Sequence, residues 1–214
     1  GSSLGLGNLL KKIGCTVTVA VPSDSPEFLN WLEGSNEVLV WGKQNDDIIY
    51  QLNQADLVFC LDFNALHRID EMENIVGNAK AKKILIDHHQ QPDIPSFAYG
   101  ISDVKMSSTC EMVYDFIVQS GHSNLINLDI ATCLYTGLMT DTGSFRFPST
   151  TASVHKIVAH LKELGLQHAK IHENIYDNST EGRLKFMGNA FLNRMTVLPE
   201  YKTAVMAIPK SDIY

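Results

Sequence analysis

The chain has 214 residues, of which 44% are hydrophobic and 19% charged, and its formal net charge is −7. This composition excludes collagen-like, coiled-coil and disordered proteins, and the length corresponds to one large domain or two small ones. No apolar run approaches the ~20 residues of a membrane helix, and the acidic charge excludes a broadly basic nucleic-acid-binding surface.

The first half of the chain alternates between short helices and apolar strands. Helices are predicted over residues 1–14, 28–32, 46–52 and 70–79, and strands over residues 15–21, 37–41, 55–62 and 83–89. Such alternation is typical of a parallel α/β sheet. The strands are continuously apolar, which indicates that helices cover both faces of the sheet.

The second half is predicted to be mostly helical. Helices are expected over residues 108–119, 128–139, 153–164, 169–176 and 183–195, and a strand over residues 201–208. The helix at 108 begins with Ser108 and has Glu111 three residues later, which is a capping-box pattern. The predicted fold class is therefore α/β, with a mainly parallel sheet flanked by helices, followed by a helical second half of the same domain.

The four cysteines are far apart and include no Cys-x-x-Cys pair. This spacing excludes a cysteine zinc site and a short disulfide framework. Their apolar neighbours predict four buried free thiols. We therefore expect a protein of the reducing cytoplasm.

Polar side chains stand where two predicted strands end. Asp62 ends one strand, and Asp87, His88 and His89 end the next. Ligands of open α/β sheets bind outside the carboxyl ends of the strands, so these residues are expected to meet. Imidazole and carboxylate together suit manganese, zinc or iron, and more carboxylates favour manganese or magnesium. The alternatives are a hydrogen-bonded turn at the Asp-His-His tripeptide and a helix N-cap at Asp62.

Asp141 adds a third polar loop. It follows a helix with no charged residue between Ile130 and Thr140, and small polar residues surround it. The alternative is a plain Asx turn. Three such loops in one α/β chain favour a shared metal site.

Five stretches of the chain, in order, resemble the motifs of the DHH phosphoesterases. The resemblance is to the nanoRNase and phosphoadenosine-phosphate phosphatase branch of RecJ-like proteins, and it covers essentially the whole chain. The matching stretches are Gly1 to Leu6, Val58 to Asp62 followed by Arg68, Ile86 to His89, Ser107 to Glu111, and Gly137 to Phe145.

The resemblance implies a two-metal phosphoesterase that hydrolyses short oligonucleotides or nucleotide 3′,5′-bisphosphates with a metal-activated water. The implied metal is Mn²⁺, with Mg²⁺ as the alternative. Carried over by position, Asp62 bridges the two ions, while His88 and Asp141 bind the second one.

The remaining motif residues are implied to act around the metals. His89 lies near the scissile phosphate as a catalytic and substrate-binding residue, and Asp87 fixes an imidazole. Arg68 contacts phosphate, for which the alternative is a surface ion pair. The hydroxyls of Ser108 and Thr109 are interpreted as a helix cap rather than a substrate site.

The chain also departs from the family pattern. The first family motif, which supplies three further metal ligands, precedes the Gly-Ser with which this sequence starts. The 214 residues alone are therefore expected to hold one metal poorly and to be inactive. The predicted division is a DHH catalytic domain over 1–180, a linker helix over 181–200 and the start of a substrate-binding domain over 201–214.

Two other functions stay open at this point. One is an inorganic pyrophosphatase or exopolyphosphatase with the same metal core, and the other is a catalytically incomplete nucleotide-binding module. The expected partner is a short oligonucleotide or nucleotide, with no membrane involved. A homodimer also stays open, since no sequence feature identifies an interface.

Overall fold

The structure is a computed structural model that describes residues 1–212. Two compact units are present, Gly1–Ile171 and a second one from His172 onward. The helices are α1 (Ser2–Lys12), α2 (Asn45–Gln54), α3 (Glu73–Gly77), α4 (Thr109–Gln119), α5 (Leu128–Asp141), α6 (Ala152–Glu163), α7 (His168–Tyr176) and α8 (Glu181–Asn189). The strands are β1 (Ala20–Val21), β2 (Leu39–Val40), β3 (Leu57–Leu61), β4 (Lys82–Asp87), β5 (Tyr99–Ser102), β6 (Met195–Leu198) and β7 (Thr203–Met206).

Parallel sheets form the β part of the first unit. Strand β1 pairs with β2, and a separate sheet has the order β3-β4-β5, with every pair parallel. In the three-stranded sheet Leu61 lies opposite Ile86, and Asp87 lies opposite Ser102. This arrangement confirms the predicted α/β class and aligns the carboxyl ends of β3 and β4.

Helix α5 is at the centre of the main core. It packs against α1, α4 and α6, and α4 in turn packs on β4. Ile130, Leu134, Leu138 and Met139 of α5 are fully buried. The complete exclusion of these side chains from water is a main source of stability, at roughly 1.5–3 kcal/mol for each large apolar side chain.

Side-chain caps fix where the helices of the second half begin. Ser108, Asn127 and Thr151 each accept a hydrogen bond from the backbone N–H three residues later. The expected capping box at α4 is present in altered form, because the Glu111 carboxylate accepts from the N–H and hydroxyl of Ser107, at 2.8 and 2.7 Å. This cap places the first residue of α4, Thr109, in a fixed position.

Several predicted elements differ in extent from the observed ones. Only Ala20–Val21 of the strand expected over 15–21 is paired, because its partner strand β2 is two residues long. The helix expected over 70–79 is reduced to Glu73–Gly77, because Asp70 has a positive φ of 49° that interrupts the preceding 3₁₀ segment, Leu66–Met72. Strand β5 was not predicted.

One cysteine prediction is wrong. Cys60, Cys110 and Cys133 are buried free thiols, as expected, but Cys15 is exposed. It directly follows Gly14, which has φ 93° and turns the chain after α1. The apolar neighbours of Cys15 therefore do not enclose it.

The second unit contains α8 and an antiparallel hairpin. Helix α8 continues as a π-helical turn over Ala190–Arg194, and then β6 and β7 pair. The helix expected up to residue 200 thus ends earlier, at a strand. The proposed domain division stays a prediction, and residues 213 and 214 of its last segment lie outside the described residues. Within residues 1–212, no helix combines the length and apolarity needed to cross a membrane.

Candidate metal centre

The sheet register brings the two predicted polar loops together. Asp62 directly follows β3, and its N–H donates to the carbonyl of Ile86 in β4 at 3.3 Å. Asp62 itself has a left-handed backbone, with φ 68°. A left-handed aspartate is uncommon, and strained residues concentrate at functional sites. The turn lets the Asp62 side chain share the sheet edge with the loop after β4.

Asp62, His88 and His89 form a cluster at this edge. Each contributes one possible ligand atom, and these three atoms lie within 4.8 Å of one another. The Nε2 atom of His88 is 3.6 Å from Oδ1 of Asp62. The rings of His88 and His89 are tilted, with centroids 4.6 Å apart. The structure thus gathers a carboxylate and two imidazoles from two different loops.

Hydrogen bonds at the far side of each ring assign the imidazole protons. Nδ1 of His88 is 3.3 Å from the carbonyl of Met106, which can only accept, so the proton belongs on Nδ1. Nδ1 of His89 is 2.8 Å from the Asp87 carboxylate, and the same assignment holds. In the neutral rings both Nε2 atoms therefore carry lone pairs. Lone pairs of His88 and Asp62 that face each other at 3.6 Å fit a cation between them.

Asp87 is fully buried at the end of β4. One of its carboxylate oxygens accepts from the His89 ring, and the other accepts from the His89 backbone N–H at 2.7 Å. Both carboxylate oxygens of Asp87 are thus hydrogen-bonded to the same residue, His89. Asp87 therefore fixes the orientation of the His89 imidazole.

Asn64 holds the loop after β4 in place through side-chain hydrogen bonds. It is buried, and its amide donates to the carbonyls of His89 and Gln90 at 3.0 and 2.8 Å. The backbone carbonyl of Asn64 accepts from the backbone N–H of Asp93 at 2.8 Å. These bonds tie the loop after β3 to the loop after β4.

Asp141 ends α5 and lies outside the cluster of three. Although solvent reaches it, surrounding protein atoms remove part of its hydration, and this burial raises the pKa of the Asp141 carboxyl to about 6. The negative charge of Asp62 adds to the increase, and His88 and His89 oppose it. The charge of Asp141 thus interacts with all three members of the cluster, and a cation bound there would offset the repulsion between the carboxylates.

Arg68 lies in the 3₁₀ segment Leu66–Met72 and is exposed. Its guanidinium makes no hydrogen bond or ion pair within residues 1–212. The structure therefore leaves this side chain available to a ligand without placing it in the cluster.

Sequence reasoning missed one contact of the cluster. The hydroxyl of Thr109 donates to Oδ1 of Asp62 at 2.8 Å, so the interpretation of Thr109 as part of the helix cap is wrong, whereas Ser108 is the cap, as interpreted. The run of three hydroxyl residues, 107–109, exceeds what one cap needs, and this excess is the signal that could have identified Thr109.

Comparison with known proteins places these loops in a family. The model of the DHH family N-terminal domain matches residues 1–138. A Thermus thermophilus protein named bifunctional oligoribonuclease and PAP phosphatase NrnA is 31% identical over 177 residues, which cover 82% of this chain and 49% of that protein. A Streptococcus mutans protein, named probable bifunctional oligoribonuclease and PAP phosphatase NrnA, is 30% identical over 176 residues, covering 80% and 50%. These similarities confirm the resemblance seen in the motifs.

A solved structure has the same fold. The crystal structure of an exopolyphosphatase-related protein from Bacteroides fragilis is 37% identical, with a TM-score of 0.95, and the match covers 99% of this chain and 62% of that one. The chain spans about half the length of the two bacterial relatives.

Proposed function

Because the chain belongs to the DHH family, we propose that it is the catalytic part of a metal-dependent phosphoesterase. The substrates are short oligoribonucleotides and nucleotide 3′,5′-bisphosphates such as PAP (adenosine 3′,5′-bisphosphate). The observation that carries the proposal is the convergence of Asp62, His88 and His89 on one point at the sheet edge. The names of the two bacterial relatives support the substrate class.

The proposed roles follow the motif positions. Asp62 would be shared between two ions, and His88 and Asp141 would help to hold the second of them. The ions are Mn²⁺ or Mg²⁺, because carboxylate-rich sites favour these harder cations. Bound divalent ions would lower the pKa of a coordinated water and neutralise phosphoryl oxygens.

The protein residues prepare the site for a phosphate. Asp87 holds the His89 ring, so that Nε2 of His89 is directed away from the buried carboxylate. When His89 is protonated, the buried charge of Asp87 stabilises the imidazolium, which can donate to a phosphoryl oxygen. Arg68 is the further candidate for phosphate contact, since its guanidinium fork matches two oxygens.

The test is hydrolysis by the full-length protein with Mn²⁺. We expect an RNA dinucleotide to yield mononucleotides, and PAP to yield adenosine monophosphate and phosphate. Asp62→Asn should abolish both reactions. Asp93→Asn, an exposed aspartate in the loop after β4, should leave them unchanged. Lack of turnover of both substrates by the metal-bound protein contradicts the proposal.

A second candidate is hydrolysis of pyrophosphate or polyphosphate. The observation that favours it is the similarity to the exopolyphosphatase-related protein. Turnover of pyrophosphate that is faster than turnover of the dinucleotide would select this candidate. Binding of PAP without turnover would instead select the non-catalytic nucleotide-binding module.

The domain division belongs to the same proposal. Residues 1–180 form the catalytic domain, residues 181–200 link it to the next domain, and residues 201–214 begin a substrate-binding domain. Limited proteolysis of the full-length protein tests it, with cleavage expected between residues 177 and 200.

A further inference from the structure

The hydroxyl of Thr109 contacts the candidate metal centre from a buried position. Thr109 is the first residue of α4 and is 1% exposed. Its Oγ1 donates to Oδ1 of Asp62 at 2.8 Å, across 47 residues of sequence. This contact joins the start of a helix to the end of β3.

Asp62 needs an external group to fix its carboxylate. Its side chain is half exposed, and the backbone N–H of Asp62 is engaged with Ile86. Within residues 1–212, Thr109 is the only hydrogen-bond donor to this carboxylate, since His88 is 3.6 Å away. The orientation of Asp62 therefore depends on one hydroxyl.

The neighbouring hydroxyls have different partners. Ser108 accepts from the Glu111 N–H at 3.1 Å, and Ser107 donates to the Glu111 carboxylate at 2.7 Å. Both bonds begin the helix. Thr109 contributes no such bond and is directed to Asp62 instead. Its hydroxyl is thus separable from the helix cap.

We propose that Thr109 is a positioning residue that orients the Asp62 carboxylate to bind a divalent cation. The hydroxyl occupies one lone pair of Oδ1 and leaves Oδ2 and the remaining lone pair of Oδ1 for the ion. Groups that hydrogen-bond to metal ligands typically contribute 10–100-fold to metal affinity. The inference rests on the proposed function only for its claim that the site binds a metal.

The test is Mn²⁺ affinity, measured by isothermal titration calorimetry on the full-length protein. Thr109→Val removes the hydroxyl and keeps the shape, and we expect it to weaken Mn²⁺ binding about 10–100-fold. Thr109→Ser restores a hydroxyl and should bind within a few-fold of the unmodified protein. Thr109→Ala should behave like Thr109→Val, and it is the variant to use if valine prevents folding.

Two controls separate positioning from a structural effect. Ser107→Ala removes a cap hydroxyl, and it should lower the Tm measured in EDTA while leaving Mn²⁺ affinity unchanged. Thr136→Val removes a buried hydroxyl that bonds to the carbonyl of Thr132 within α5, and it should also retain affinity.

Three results would overturn the inference. The first is unchanged Mn²⁺ affinity in folded Thr109→Val. The second is a loss of Mn²⁺ affinity in the two control variants as large as that in Thr109→Val. The third is a lack of Mn²⁺ binding by the unmodified protein. Mn²⁺ binding that depends on Thr109, without hydrolysis of dinucleotide or PAP, supports the inference while it contradicts the proposed function. The two failures are thereby distinguishable.

Discussion

The buried carboxylate of Asp87 accepts two hydrogen bonds from a single residue, one from the backbone N–H of His89 and one from its Nδ1. The bonds are 2.7 and 2.8 Å long, and they fix both the loop and the ring. Because a carboxylate only accepts, this arrangement requires a proton on Nδ1 and leaves Nε2 facing the site.

Asp87→Asn should therefore lower kcat/KM for the dinucleotide by about 10–100-fold. The neutral amide no longer stabilises the His89 imidazolium, and an NH₂ group that donates to Nδ1 leaves a neutral ring whose only proton is on Nε2. ¹⁵N NMR of the histidines should report this change of tautomer. Asp93→Asn is the control in the same loop. Unchanged kcat/KM in Asp87→Asn would contradict the role of Asp87.

The contact between α4 and α5 is close enough to require glycine at position 137. A Cβ atom there would lie 2.1 Å from the Sγ of Cys110. We expect Gly137→Ala to lower the free energy of unfolding by about 1–3 kcal/mol, measured by urea denaturation.

Two variants check that steric reason. Cys110→Ala combined with Gly137→Ala should recover much of the loss, because the sulfur that clashes is gone. Gly77→Ala, whose Cβ would lie an ordinary 3.6 Å from Leu66, should change stability by no more than about 0.5 kcal/mol. Additive losses in the double variant would show that Cys110 is not the cause.

The cysteines should differ sharply in reactivity. Burial raises the pKa of the Cys60 and Cys110 thiols to about 12 and that of Cys133 to about 11. At pH 8 these thiols are protonated, and the thiolate is the reactive form. Ellman's reagent should thus label Cys15 alone in the native protein, and Cys15→Ser should remove the fast phase. Rapid labelling of more than one thiol would contradict the described core.

Sequence reasoning was most successful where one physical signal dominated. The apolar runs before Asp62 and Asp87 predicted β3 and β4, and parallel pairing then required their polar ends to meet. The cap at Ser108 likewise placed the start of α4. At these positions the local sequence was sufficient to predict the structure.

Other features depend on pairing that no local pattern encodes. Strand β5 consists of four residues after a 3₁₀ turn, and β4 supplies its pairing. Strand β6 exists because the chain turns back after Leu198 and pairs with β7. The bond from Thr109 to Asp62 joins residues far apart in sequence, so only the assembled fold shows it.

Titration of the full-length protein with Mn²⁺ tests the metal centre most directly. Electron paramagnetic resonance of free Mn²⁺ should show saturable binding by the unmodified protein and by Asp93→Asn. Asp62→Asn should weaken that binding by at least about 10-fold, because one carboxylate ligand becomes a neutral amide. Equal Mn²⁺ binding by Asp62→Asn and the unmodified protein would contradict a metal centre in which Asp62 is a ligand.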